Sequence, residues 1–134
     1  MGLHDLELSV GRMTATRVEA RLETGERQFD PSVATPGALQ ARFAEAVVLQ
    51  AGQTGPDAPQ DDLVTCSVHT EVVHSHRGGP VDLVAVRLQA DSGGQLWTVD
   101  ATTPEGHLIA HSRVRLIPGA NMPPVPPHHQ TPTT

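Results

Sequence analysis

The fifteen residues from Gly37 to Ala51 constrain this chain more than any others, because the helix they spell is apolar almost all the way round. Leu39, Phe43, Ala46, Val47 and Gln50 recur at helical spacing, and Ala38, Ala41, Ala44, Val48 and Leu49 fill the flanks. A helix of that kind has to be covered on most sides. The flanking sequence supplies strands to cover it. Leu6, Leu8 and Val10 alternate with polar residues, and Val18, Ala20 and Leu22 alternate with Arg17, Glu19 and Arg21. Beyond the helix, Val64, Cys66, Val68 and Val72 alternate with Thr65, Ser67, His69 and Glu71. This phase puts Cys66 on the apolar face as a small core residue and His69 on the polar face with Ser67 and Glu71.

Three more strand-like runs follow, Val81–Ala90, Leu96–Thr102 and Leu108–Ile117. They are separated by Asp91-Ser92-Gly93-Gly94 and Pro104-Glu105-Gly106, short turns that favour an antiparallel meander. Two strands, one long helix and four strands make an α+β domain, with an antiparallel sheet wrapped around one central helix. At 134 residues the chain fits one domain. Residues 1–117 form that domain. Residues 118–134, rich in Pro and His, read as a disordered or polyproline-like tail.

Several functions are excluded by composition. Aromatic residues make up 2% and the formal net charge is -6, so the chain lacks both the stacking rings and the basic face of a nucleic-acid binder. No run of eighteen apolar residues exists, so no membrane-spanning helix is expected. The N-terminus lacks a signal-peptide layout, and a soluble cytoplasmic protein is expected. Cys66 is the single cysteine, which rules out an intramolecular disulfide and a cysteine-based zinc site. His74, His76, His107, His111, His128 and His129 raise the question of a metal. No His-Glu-x-x-His motif, Cys pair or carboxylate cluster accompanies them, so neither metal nor cofactor is expected.

The element order, together with Val84-Ala85-Val86-Arg87-Leu88, Leu96-Trp97-Thr98-Val99-Asp100-Ala101 and Pro104-Glu105-Gly106-His107-Leu108-Ile109-Ala110, resembles the hotdog-fold acyl-CoA thioesterases. The resemblance covers roughly residues 3–117. The phenylacetate-type subgroup carries His-Gly-Gly at the helix start and an Asp seven residues after the second Gly. Here that stretch is Ala34-Thr35-Pro36-Gly37-Ala38, without the His, and Ala44 stands where the acid would be. The fluoroacetyl-CoA thioesterase-like subgroup is the nearer match. It is similar in Ala34-Thr35 before the helix, Glu45 within it, Ser67-Val68-His69-Thr70 in the next strand and His111-Ser112-Arg113 in the last. Thr35 and Glu45 stand ten apart, two more than in that subgroup's pattern.

The resemblance implies hydrolysis of acyl thioesters, acyl-CoA foremost, by a homo-oligomer, either dimer or tetramer. Two protomers would extend one sheet edge to edge and pack their helices together, placing the site between subunits. It also implies that Thr35, Glu45 and His69 are catalytic: Glu45 attacks the thioester or activates water, His69 orients or shuttles a proton, and Thr35 assists. N–H groups near Gly37 and Ala38 would hold the oxyanion. Arg113 would line the acyl pocket, and Arg77 would meet a CoA phosphate.

Each of these residues also has an ordinary structural reading. Thr35 before Pro36 is a normal N-cap, Arg77-Gly78-Gly79 a normal hairpin loop, and a polar-face strand histidine is commonly just exposed. Glu45 is harder to dismiss, because its helical neighbours Ala41 and Leu49 offer no basic partner. A non-catalytic hotdog protein, binding an acyl or CoA-like ligand or serving as an assembly unit, is the alternative that the Thr35–Glu45 spacing favours.

Overall fold

A computed structural model describes residues 7–23, 36–54, 62–74, 76 and 78–119. The chain runs β1 (Glu7–Met13), β2 (Arg17–Glu23), α1 (Pro36–Thr54), β3 (Leu63–Val72), β4 (Val81–Asp91), β5 (Gly94–Thr102) and β6 (Leu108–Pro118). The strands form one antiparallel sheet in the order β1-β2-β4-β5-β6-β3. The α+β order read from periodicity is therefore the order observed. β6 continues one residue past the expected boundary, and Gly119 N–H then donates to the Asp62 carbonyl at 2.9 Å.

The core lies between α1 and one face of the sheet. Val18, Ala20 and Leu22 of β2 and Val81, Leu83 and Ala85 of β4 are buried there. They are joined by Trp97, Val99 and Ala101 of β5 and by Val114 and Leu116 of β6. The helix meets them with Leu39, Phe43, Ala44, Val47, Val48 and Ala51. This corrects the expected stripe: Ala44 and Val48 belong to it, whereas Ala46 is half-buried and Gln50 exposed. A helix that is apolar all round offers little contrast from which to pick its inward face. Trp97 brings its polar edge into the core, where its indole N–H donates to Gln95 Oε1 at 2.8 Å.

Irregularities curve the sheet around the helix. The pairing register shifts at Gly11 in β1, Cys66 in β3, Leu88 in β4 and Ile109 in β6. The shift at Cys66 overturns one expectation. The strand's alternation is broken there, and Cys66 is exposed rather than packed in the core. Two glycines allow close approach. A Cβ on Gly52 would stand 2.9 Å from Leu116 Cδ1 and 3.1 Å from Leu63 Cδ1, so the end of α1 lies directly on β3 and β6. At the β4–β5 turn Gly94 has φ 138°, and a Cβ there would collide with the Leu116 carbonyl oxygen.

Candidate functional site

The helix flank beside β3 is where a half-buried carboxylate appears. Gly37, Ala41, Glu45, Val48 and Gly52 are spaced as one stripe of α1. At one end of the stripe a Cβ on Gly37 would lie 4.0 Å from Val72, the last residue of β3. At the other end Gly52 abuts Leu63, the first. The stripe thus runs the length of β3, with Glu45 near its middle. β3 pairs with β6 on one side only and is an outer strand of the sheet. Glu45 is consequently half-buried above the outer strand of the sheet, flanked by half-buried Ala41 and Leu49. It makes no hydrogen bond or ion pair with any described residue.

The start of α1 lies at the same edge. Pro36 occupies the first helical position, where its missing N–H costs nothing, and no acidic residue stands in the first turn. The positive end of the helix dipole therefore lies at this edge, with no acidic side chain in the helix's own first turn. Gly37 is half-buried and Ala38 exposed. Gly37 precedes Glu45 by eight residues, about 12 Å of helix axis. Side chains lean toward the helix start, so the Glu45 side chain extends back in the direction of Gly37.

Below this flank β3 turns Val68 and Thr70, both half-buried, toward the helix side. Thr70 and the buried Ser112 share a hydroxyl–hydroxyl hydrogen bond of 2.8 Å. β3 ends where the N–H groups of Val73 and His74 both donate to the Ile109 carbonyl, at 2.7 and 3.1 Å. Val72 and Val73 are 39% and 50% exposed there, an apolar patch next to the helix start. The Thr70–Ser112 pair and this valine patch went unrecognised in the sequence; both follow from the β3–β6 pairing, which no local pattern announces.

The other expected site residues are placed elsewhere. On β6, buried Ser112 and Val114 face the helix, so the exposed Arg113 between them faces away. His69 is the cross-strand partner of Arg113 and is exposed on that same far face. The structure brings His69 and Arg113 together and separates both from Glu45 by the thickness of the sheet. An antiparallel join of two β3 edges would keep both helices on one side, leaving each His69 on the other. Thr35 and Arg77 lie outside the described residues.

Three further polar groupings occur. On the far face, His111 Nδ1 is 2.5 Å from Asp100 Oδ1, with Glu71 opposite on β3. A groove of about 480 Å³, also on that face, is lined in part by Ser9, Glu19, Arg21, Asp82 and Thr102. Arg21 and Asp82 pair across it at 2.7 Å, and this contact raises the pKa of Arg21 above its ordinary value. At the β5–β6 turn a backbone hydrogen bond, then the Thr103 hydroxyl, hold the Glu105 carboxyl below its usual range, with His107 and His76 adding to the effect. Among the described residues no group of three or more His, Cys, Asp or Glu side chains is arranged to hold a metal ion. Among them, too, no helix is long and apolar enough to cross a membrane.

Solved structures resemble this fold closely. The thioesterase HI1161 of Haemophilus influenzae superposes with a TM-score of 0.69 at 20% identity, covering 82% of this chain and 76% of that one. A thioesterase of Staphylococcus aureus, SAV0944, gives 0.75 at 15% identity over 86% and 95%. A hypothetical thioesterase of Streptococcus pneumoniae, solved with coenzyme A, gives 0.71 at 10% identity over 84% and 85%. The chain has the hotdog fold, the fold of these proteins. No family model matches it, and no curated protein matches its sequence.

Proposed function

We propose that this protein hydrolyses acyl thioesters, with acyl-CoA as the substrate, at a site along the β3 edge that a second protomer completes. The observation that carries this reading is Glu45, a half-buried carboxylate without a partner among the described residues, set over the outer strand β3 on the helix stripe that begins at Gly37. Likeness to thioesterases, one of them holding coenzyme A, supports the substrate class. A ten-residue outer strand and an apolar helix flank support the assembly.

In this mechanism the Glu45 carboxylate takes a proton from a water molecule as the water oxygen attacks the thioester carbonyl carbon. The carbonyl oxygen becomes an oxyanion and accepts a hydrogen bond from the Gly37 N–H, aided by the helix dipole. Collapse re-forms the carbonyl and breaks the carbon–sulfur bond. The thiolate then takes the proton held by Glu45, leaving a carboxylic acid and the free thiol. Packing a second helix against Ala41 and Leu49 would close the site around Glu45 and the attacking water. The Thr35 hydroxyl would assist at the helix start.

Glu45→Gln tests the reading, since it keeps the shape and removes the base. Hydrolysis of short acyl-CoA substrates should fall about a hundredfold or more with the melting transition unchanged. A wild-type protein that binds CoA esters but hydrolyses none of a broad panel would establish the second reading, a binding module. The ten-residue Thr35–Glu45 spacing favours that outcome.

A further inference from the structure

The far face holds a cationic block that the Glu45 chemistry does not use. All nine basic side chains of this chain are arginines. On β2 they are paired, Arg17 with Glu19 at 3.2 Å and Arg21 with Asp82 at 2.7 Å. On β6, Arg113 and Arg115 share the exposed side of the strand, and neither has a hydrogen bond or ion pair among the described residues. The register sets His69 opposite Arg113 and Ser67 opposite Arg115, both exposed as well. Four hydrogen-bonding side chains thus occupy an area about 5 Å across and about 7 Å along the strands.

An exposed arginine in water needs no explanation by itself. The absence of acid from both rows is what sets this block apart. Beyond β6 the rows continue into Thr98 and Leu96 of β5, each half-buried and uncharged. The nearest carboxylates, Glu71 and Asp100, stand one row along on either side of His111, and Asp100 already contacts that histidine. In a chain of net charge -6, positive charge is concentrated here without neutralisation by any described residue.

Two guanidinium forks, an imidazole and a hydroxyl match tetrahedral oxyanions, which accept several N–H and O–H bonds at once. The dimensions suit one phosphate or two linked ones. A longer acidic protein segment would overrun the block and meet Glu71 and Asp100. Leu96 beside Arg115 gives an apolar floor for an uncharged part of the ligand. We infer that Ser67, His69, Arg113 and Arg115 form a subsite for the phosphate groups of a small organic phosphate, on the face of the sheet turned away from α1. This inference does not depend on the activity of Glu45.

Titrating the full-length protein with inorganic pyrophosphate at low salt, followed through backbone amide resonances, tests it. Saturable shifts should centre on Ser67–His69 and Arg113–Arg115. The double variant Arg113→Gln, Arg115→Gln should weaken binding tenfold or more, and restoring charge with Lys at both positions should recover only part. Arg17→Gln, on the same face but already paired with Glu19, should stay within twofold of wild type. Non-saturating shifts would overturn the inference, as would an equal loss in Arg17→Gln, which would reveal nonspecific charge attraction. Poly-glutamate binding at this block more tightly than pyrophosphate would overturn it in favour of an acidic protein partner. All the substitutions are at exposed positions, and thermal melts of each variant verify that the fold is kept.

Discussion

The two faces of this sheet treat polar residues in opposite ways. On the helix side the surroundings are apolar, and the polar groups there are few, among them Glu45 on the helix flank, the buried Gln40, the Thr70–Ser112 pair and the Trp97–Gln95 pair. On the far side arginines, histidines and carboxylates alternate across neighbouring strands, exposed to water and in several cases paired. A carboxylate on the first face sits among apolar side chains, where few other polar groups compete for a ligand. A charge on the second face is well solvated and serves recognition or solubility instead. The proposed chemistry therefore lies on the helix side of the sheet.

The largest expected effect puts this contrast at risk directly. Glu45→Gln should lower kcat/KM for acyl-CoA about a hundredfold or more, while His69→Ala and Arg113→Ala should each change it less than about threefold. Steady-state rates for the three variants decide the matter. A loss in His69→Ala comparable to that in Glu45→Gln would mean that the two side chains act together, and the division between faces would fail.

Assembly comes next in size. If the β3 edge and the Ala41–Glu45 flank meet a second protomer, wild type should sediment as a dimer or larger at micromolar concentration. Ala41→Arg adds bulk and charge at a half-buried position of that flank. It should weaken association at least tenfold without unfolding the monomer, because Ala41 is outside the buried core. A monomeric wild type would remove the subunit that is needed to close the site around Glu45.

Much of this architecture was legible in the sequence because each segment states its own period. Residues 37–51 read as helix, the alternating runs as strands, and Asp91-Ser92-Gly93-Gly94 as a hairpin turn. The grouping of Ser67, His69 and Glu71 on one exposed face also followed from period two. What the period does not say is which side of the sheet a face will occupy. His69 is set on the far side by its pairing with Arg113, a residue forty-four positions later, and that long-range register has no local signature. The outer position of β3 is equally non-local, since it follows from the whole strand order. Glu45 could be singled out from its neighbours Ala41 and Leu49 alone, but its relation to β3 required the helix phase, which an all-apolar helix conceals.

A smaller effect probes the polar pair under the helix. Thr70→Val removes one hydroxyl and leaves that of Ser112 buried without its 2.8 Å partner. Leaving a buried hydroxyl unsatisfied costs about 1–3 kcal/mol. Because Thr70 is only half-buried, the low end is expected, about 1 kcal/mol in a denaturant titration with an unchanged m-value. Thr70→Val with Ser112→Ala should recover part of the loss, because the orphaned group is then gone.

The smallest effect concerns Cys66. Strict alternation along β3 would bury its thiol, and in that position Cys66→Ser would place a hydroxyl in an apolar layer at a cost of about 1–3 kcal/mol. The register shift between Thr65 and Ser67 takes Cys66 out of the alternation, and its side chain is exposed. An exposed thiol exchanges for a hydroxyl with little change in solvation, so Cys66→Ser should alter stability by less than about 0.5 kcal/mol. It should leave acyl-CoA turnover untouched, since the proposed chemistry does not involve the thiol. Native Cys66 should also react readily with a thiol reagent such as dithionitrobenzoate before any unfolding. Slow labelling combined with a loss above 1 kcal/mol would mean that the bulge closes in solution and returns Cys66 to the core. The strand's later residues would then be rephased, and His69 could no longer be assigned to the far face.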